Sequence, residues 1–145
     1  MNLLPIEFDI STTDAAAKLG VEVWLDNVCV YQTDHVTETY HFQRDINDDE
    51  EITRRLKIIM TGKTTDHTQL DHDGNIVKDV MLGIHNITMD DINIDRTFCK
   101  IATYDHDFNG TGSKLTHKFF GCMGCNGVVT FEFATPGYIW LLENM

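Results

Sequence analysis

The segment Asp105-His106-Asp107-Phe108-Asn109-Gly110 has the residue types and spacing closest to a recognisable chemistry. A D-x-D-x-N-G run lets three short oxygen-bearing side chains, Asp105, Asp107 and Asn109, converge on one cation, while the glycine permits a tight bend. The chemistry is capture of a hard divalent ion, calcium foremost, by carboxylate and amide oxygens. An EF-hand opens in this way, but its twelfth position is a bidentate glutamate, and here that position is Thr116. An EF-hand does not fit. Two readings remain, an isolated calcium loop and an Asx-rich hairpin turn without metal, and the turn is favoured. Asp71-His72-Asp73-Gly74-Asn75, with Asp79 following, repeats the alternation of oxygens from Asp71, Asp73 and Asn75. Its glycine falls at the fourth place rather than the sixth, and Asp-Gly-Asn makes a good hairpin turn unaided. The two loops would reinforce one another if they stood at one end of the fold.

Cys122-Met123-Gly124-Cys125 is a C-x-x-C pair. Zinc takes four ligands, and no second C-x-x-C or C-x-x-H is present, so Cys29, Cys99, His106 or His117 would have to complete a site through folding. Zinc is not the expected cofactor. A thioredoxin-like redox pair needs a βαβ context that is missing. The histidines form neither H-x-H nor H-E-x-x-H, and neither Ser11 nor Ser113 sits in a G-x-S-x-G elbow. Nothing selects two carboxylates as a glycosidase pair. The chain is therefore expected not to be an enzyme. Its candidate ligand-binding aromatics are Trp24 and Tyr31, on or near polar faces, and Tyr104 beside the acidic loop. Rings next to carboxylates and amides suit sugars. For Trp24 the competing reading, a core position, is favoured.

Charge narrows the partners. The chain has 145 residues, with 23 acidic against 11 basic side chains and a formal net charge of −12. Arg54, Arg55 and Lys57, the densest basic group, follow directly on the run Asp48-Asp49-Glu50-Glu51. Phosphate backbones and anionic lipid need clustered basic residues, so no nucleic acid and no membrane partner is expected, whereas cations and neutral ligands remain. No apolar run of about 18 residues could span a bilayer. The first residues, Met1 to Glu7, carry no basic region or long apolar stretch, so no signal peptide is expected, and the four cysteines are expected to be thiols.

The elements that must position these groups are strands. Leu4, Ile6, Phe8 and Ile10 alternate with Glu7 and Asp9; Val21, Val23 and Leu25 with Glu22, Trp24 and Asp26; Val129, Phe131 and Phe133 with Thr130 and Glu132. Val36, Tyr40 and Phe42 share a face, as do Val80, Leu82 and Ile84, and then Ile92 and Ile94. Strict alternation buries one face and wets the other, as antiparallel sheets do. Asp26-Asn27, Asn47-Asp48-Asp49, Thr61-Gly62-Lys63, Asp73-Gly74-Asn75, Asp90-Asp91 and Asn109-Gly110 supply the turns. Seven or more short strands in one domain over 1–145 predict an all-β antiparallel sandwich or jelly roll with at most short helical turns. Asp49 to Met60 fits both periods; strand is favoured, since Ile58 and Ile59 are β-branched. Asp14 to Gly20 fits one helical turn, and the apolar stretch Pro136 to Leu142 is expected to dock onto the body.

Two resemblances bear on function. Val21 to Asn27, an aromatic strand, and then Leu82 to Ile92 resemble in pattern the calcium-dependent xylan-binding carbohydrate modules, compact jelly rolls that hold a sugar hydroxyl on calcium; no calcium ligand can be matched residue by residue. Gly62-Lys63-Thr64, His67-Thr68, Asp73-Gly74-Asn75-Ile76, His106 to Gly110 and Trp140 to Met145 look like small proteins of marine tailed bacteriophages, which implies a virion or host-cytoplasm setting. The expectation is a non-catalytic module that binds a glycan with calcium. The alternatives are a structural or virion-assembly subunit with protein partners, and a cryptic metal-dependent enzyme.

Overall fold

The computed structural model describes residues 2–145. Thirteen strands form in chain order: β1 Leu3–Thr12, β2 Gly20–Leu25, β3 Val28–Thr33, β4 Tyr40–Asn47, β5 Thr53–Thr61, β6 Gln69–Leu70, β7 Ile76–Lys78, β8 Leu82–Met89, β9 Ile92–Asn93, β10 Thr103–His106, β11 Leu115–Lys118, β12 Cys122–Met123 and β13 Gly127–Ala134. Two short helices, α1 Asp95–Ile101 and α2 Gly137–Asn144, complete the fold. One sheet runs β12-β8-β1-β4, with β9 on β8; the other runs β11-β10-β13-β5-β2-β3; β6 and β7 make a separate ribbon. All the pairings are antiparallel.

The inward residues of both sheets merge into one core. Phe8, Ile10, Phe42, Leu82 and Ile84 come from the first sheet, and Val23, Leu56, Ile58, Val129 and Phe131 from the second. This is the expected antiparallel sandwich. The Asp49–Met60 ambiguity resolves to strand: Leu56, Ile58 and Met60 face in, and Ile58 pairs with both Val129 and Val23. A strand is favoured because each of its edges finds a partner, which a helix at this place would forfeit. The terminal stretch docks as a helix, burying Trp140 against Phe131 and Phe133.

Three local departures have physical causes. In β8 the inward set shifts from Leu82 and Ile84 to Ile87 and Met89, because Asn86 adopts φ 54° and the register to β1 slips between Glu7 and Asp9. One extra residue in a strand changes the face of everything beyond it. Ile92 and Ile94 do not share a face: β9 ends at Asn93, Ile92 is exposed, and Ile94 is buried at the head of α1. The helix escaped the sequence because only Thr97 and Phe98 along its length are buried, too few to mark a helical period. Asp14 to Gly20 forms a turn closed by the Ala17 amide on the Asp14 carbonyl, not a helix.

Candidate functional site

The acidic loop is a turn held by its own side chains. Phe108, Asn109 and Gly110 take φ of 57°, 60° and 85° in succession, conformations that asparagine and glycine accept more readily than most residues. Asp107 Oδ1 accepts from the Gly110 amide at 2.8 Å, and Asn109 Oδ1 accepts from the Asn126 amide at 2.8 Å. Thr116 donates its hydroxyl to Asp105 Oδ1 across the β10–β11 pair. Asp105 and Asp107 line a cleft of about 420 Å³ with Lys114, Thr116 and Asn126, while the Asn109 oxygen is taken up by the Asn126 backbone. Two of the three residues read from the sequence, Asp105 and Asp107, therefore line one cleft.

Asp71, Asp73 and Asn75 lie at the tip of the β6–β7 ribbon. Asp71 Oδ1 accepts from the Asp73 and Asn75 amides, each at 2.9 Å. The Asn75 backbone donor, foremost, holds the Asp71 carboxyl below the usual carboxylate range. The two loops are rooted at one end of the sandwich. Asn126, which grips Asn109, also exchanges hydrogen bonds with the Lys63 backbone, at 2.9 Å each way. Lys63 Nζ then reaches Asp79 at the foot of the ribbon. Among the described residues no three His, Cys, Asp or Glu side chains converge as a metal group.

Beneath the loops lies a polar network that no motif announced. Burial pushes the Asp79 carboxyl up, but the Lys63 ammonium, the Thr68 hydroxyl and the Val80 amide outweigh it and hold it low. Lys63 also donates to the Gly124 carbonyl at 2.5 Å, and Tyr104 closes the same segment by donating its hydroxyl to the Cys125 carbonyl and accepting from the Cys125 amide at 2.9 Å. Burial raises the Cys125 thiol against the pull of Lys63. Lys63 showed in the sequence only as the end of a Thr-Gly-Lys turn.

The three candidate aromatics stand in three different places. Tyr104 is no surface residue: it is 3% exposed, and burial drives its phenol above the usual range. Its register partner on β13 is Val129, which faces the core, and paired residues share a face of the sheet. Trp24 is not in the core either. It lies half-buried on the outer face of β2, its indole N–H donating to Glu22 Oε1 at 3.0 Å. Tyr31 alone opens on a cleft. On the edge strand β3 it stacks with Tyr40, ring centres 4.0 Å apart and planes 8° from parallel. That cleft, about 270 Å³, is also lined by Thr33, His35, Thr37, Glu38 and Thr39. Tyr40 does share a face with Phe42, the two paired with the core residues Ile10 and Phe8, yet it is 40% exposed, because it is the first residue of β4, the edge strand of its sheet.

Two histidine constellations also emerge only in space. On the outer face of the first sheet His41 lies between two carboxylates, Nδ1 2.7 Å from Asp9 and Nε2 2.8 Å from Glu7. The Asp9 bond, then the Glu7 bond, raises the His41 imidazole above its ordinary range. Across β10 and β11, His106 Nε2 and His117 Nε2 are 3.0 Å apart. The signal for each was register, which alternation alone does not supply.

The fold and these clefts define an antiparallel all-β sandwich with two open polar clefts. No family model matches the chain, and neither a curated protein nor a solved structure matches it. No helix among the described residues is long and apolar enough to cross a membrane.

Proposed function

We propose that this protein is a non-catalytic binding domain for a neutral glycan, held in the cleft that carries Tyr31 and Tyr40. The observation that supports the reading is the stacked tyrosine pair at a sandwich edge, with threonine hydroxyls, an imidazole and a carboxylate around it. Aromatic faces receive the C–H face of a sugar ring, and the polar rim receives its hydroxyls. A net charge of −12 repels anionic ligands and leaves neutral ones. The resemblance to xylan-binding modules points the same way. Calcium is the ion suited to the Asp105 and Asp107 carboxylates of the second cleft, beside the Thr116 hydroxyl. The test is titration with neutral plant and algal polysaccharides, followed by tyrosine fluorescence and by calorimetry, for the parent and for Tyr40→Ala. Binding lost in Tyr40→Ala with an unchanged melting curve supports the reading; binding retained in full overturns it.

A second reading, a structural or assembly subunit, is favoured by the β6–β7 ribbon, whose Leu70, Ile76 and Val77 are all exposed. A two-stranded ribbon with bare apolar side chains is marginal by itself and gains by lying on a partner. Deletion of 70–76 that leaves every association of the protein intact would remove this reading.

A further inference from the structure

We infer that α2 and the β8–β9 turn form a docking site for a cationic amphipathic segment of a partner protein, its apolar face on the helix and its lysines or arginines on the carboxylates at either side. The inference is independent of the glycan reading and uses a surface other than the β6–β7 ribbon. α2 is apolar on more than its inner side. Trp140 and Leu141 are buried on the body, yet Tyr138 and Leu142, four residues apart on one face, are 60% and 80% exposed, and Met145 beyond them is exposed too. A helix with apolar stripes on two sides has a second surface still to cover.

Clefts run along both flanks of this ridge. One, of about 410 Å³, is walled by Ile92, Tyr138, Leu141, Leu142 and Met145, and its single charged residue is Asp90. The other, of about 340 Å³, has Ile52, Ile139 and Trp140 in its wall, and its charged residues are Glu51 and Glu143. None of these three carboxylates is ion-paired among the described residues. The β8–β9 turn does not itself call for acid: Asp90 and Asp91 take φ of 54° and 63°, which an Asn-Gly pair supplies without charge. On the basic side, Arg54 adjoins Thr53 of the second cleft but is held by Asp26. Arg96 adjoins Thr97, whose hydroxyl meets Met145 Sδ at 3.2 Å. The balance around the helix stays negative.

That charge selects the occupant. A second copy would bring the same carboxylates onto themselves, with −12 on each chain. An uncharged apolar segment would desolvate the carboxylates without meeting them. A segment with leucine or aromatic anchors at i, i+3, i+4 and i+7 and with lysine or arginine between them does both jobs. It covers Tyr138 and Leu142, places an anchor in the larger cleft, and meets Asp90 on one flank and Glu51 and Glu143 on the other. Charges at such a rim choose the partner and speed its arrival, and the apolar contact holds it.

The experiment is titration calorimetry of the whole protein with three synthetic peptides. They are a leucine–lysine amphipathic helix, the same leucine pattern with glutamate for lysine, and a leucine–lysine peptide of the same composition with its pattern scrambled. The first should bind, and the other two about tenfold or more weakly than it. Leu142→Ser should weaken the first by about tenfold with an unchanged melting curve. Asp90→Asn/Glu143→Gln, in which asparagine keeps the positive φ of the turn, should weaken it about fivefold at low salt and flatten its salt dependence. Asp45→Asn/Asp66→Asn, which removes two exposed charges elsewhere, should leave binding unchanged. If Leu142→Ser does not fold, amide NMR of the parent decides: the first peptide should shift the signals of residues 90–92 and 138–145. No binding of the first peptide, equal binding of either control peptide, equal loss in the two charge variants, or shifts confined to other residues would overturn the inference. So would a dimer in sedimentation that Leu142→Ser dissolves, since a second copy would then be the occupant.

Discussion

Lys63 Nζ lies 2.5 Å from Asp79 Oδ1, and the lysine side chain is 1% exposed. An ammonium so deep persists only because its charge is met by a carboxylate and by the Gly124 carbonyl. It ties the foot of the β6–β7 ribbon to the Cys122–Cys125 loop, and so sets the end of the sandwich where both acidic loops are rooted.

Removing one partner of such a pair is more costly than removing both. Lys63→Met should destabilise the fold by about 3–5 kcal/mol, since it strands the Asp79 charge. Lys63→Met/Asp79→Leu should recover part of that loss. Urea denaturation of both variants measures it, and a double variant no better than the single one would contradict the account.

His41 should give stability a pH dependence of its own. Its imidazole is raised by Asp9 and Glu7, so its contribution is complete below the unfolded value of about 6.5 and disappears as pH rises through the folded one. Asp9 is lowered, first by Asn86 and then by His41, so its share is present above its ordinary value of 3.8 and is lost as pH falls through the folded one. The clamp is therefore strongest between about pH 4 and pH 6.5. His41→Gln should lower stability there by less than about 1 kcal/mol, because the ring is on the surface, and by nothing measurable near pH 9. Urea midpoints across the pH range check this.

Tyr104→Phe leaves the Cys125 amide and carbonyl facing an apolar ring. The expected cost is about 1–3 kcal/mol, the desolvation penalty for buried groups that lose their partner. Parent spectra should show the Tyr104 phenol still protonated at the ordinary tyrosine value of about 10, with Tyr31 also raised by burial and then by Tyr40. A neutral substitution, or a Tyr104 phenol that ionises in the ordinary range, would show the network to be dispensable.

Calcium should raise the melting temperature more than magnesium does, through Asp105 and Asp107. With no bidentate glutamate, the affinity belongs with sites on the order of 10⁻⁴–10⁻³ M. At ten times the dissociation constant the gain is about 1.4 kcal/mol. Melting curves in chelator, calcium and magnesium test it, and Asp107→Ala should remove the shift. Equal shifts from the two ions would refute the assignment.

Alternation along Leu4 to Ile10, Val21 to Leu25 and Val129 to Phe133 was sufficient by itself to declare strands, the sandwich and most of its core. A side chain's face in a strand follows from its position in the chain, and turn residues such as Asp26, Asp90 and Gly110 announce their positive φ through their own chemistry. Sequence also marked Tyr31 and the oxygens of Asp105 and Asp107. It could not show that Tyr40 stacks on Tyr31, that His41 falls between Glu7 and Asp9, that His106 meets His117, or that Lys63 is buried on Asp79. Each of those pairs joins segments whose neighbourhood depends on sheet order and register, and a single bulge at Asn86 changes which residues face the core. Tyr104 and Trp24 exchanged their expected places for the same reason. Alternation says that two faces exist, and only the packing of the two sheets decides which residues at an edge or a bulge become interior.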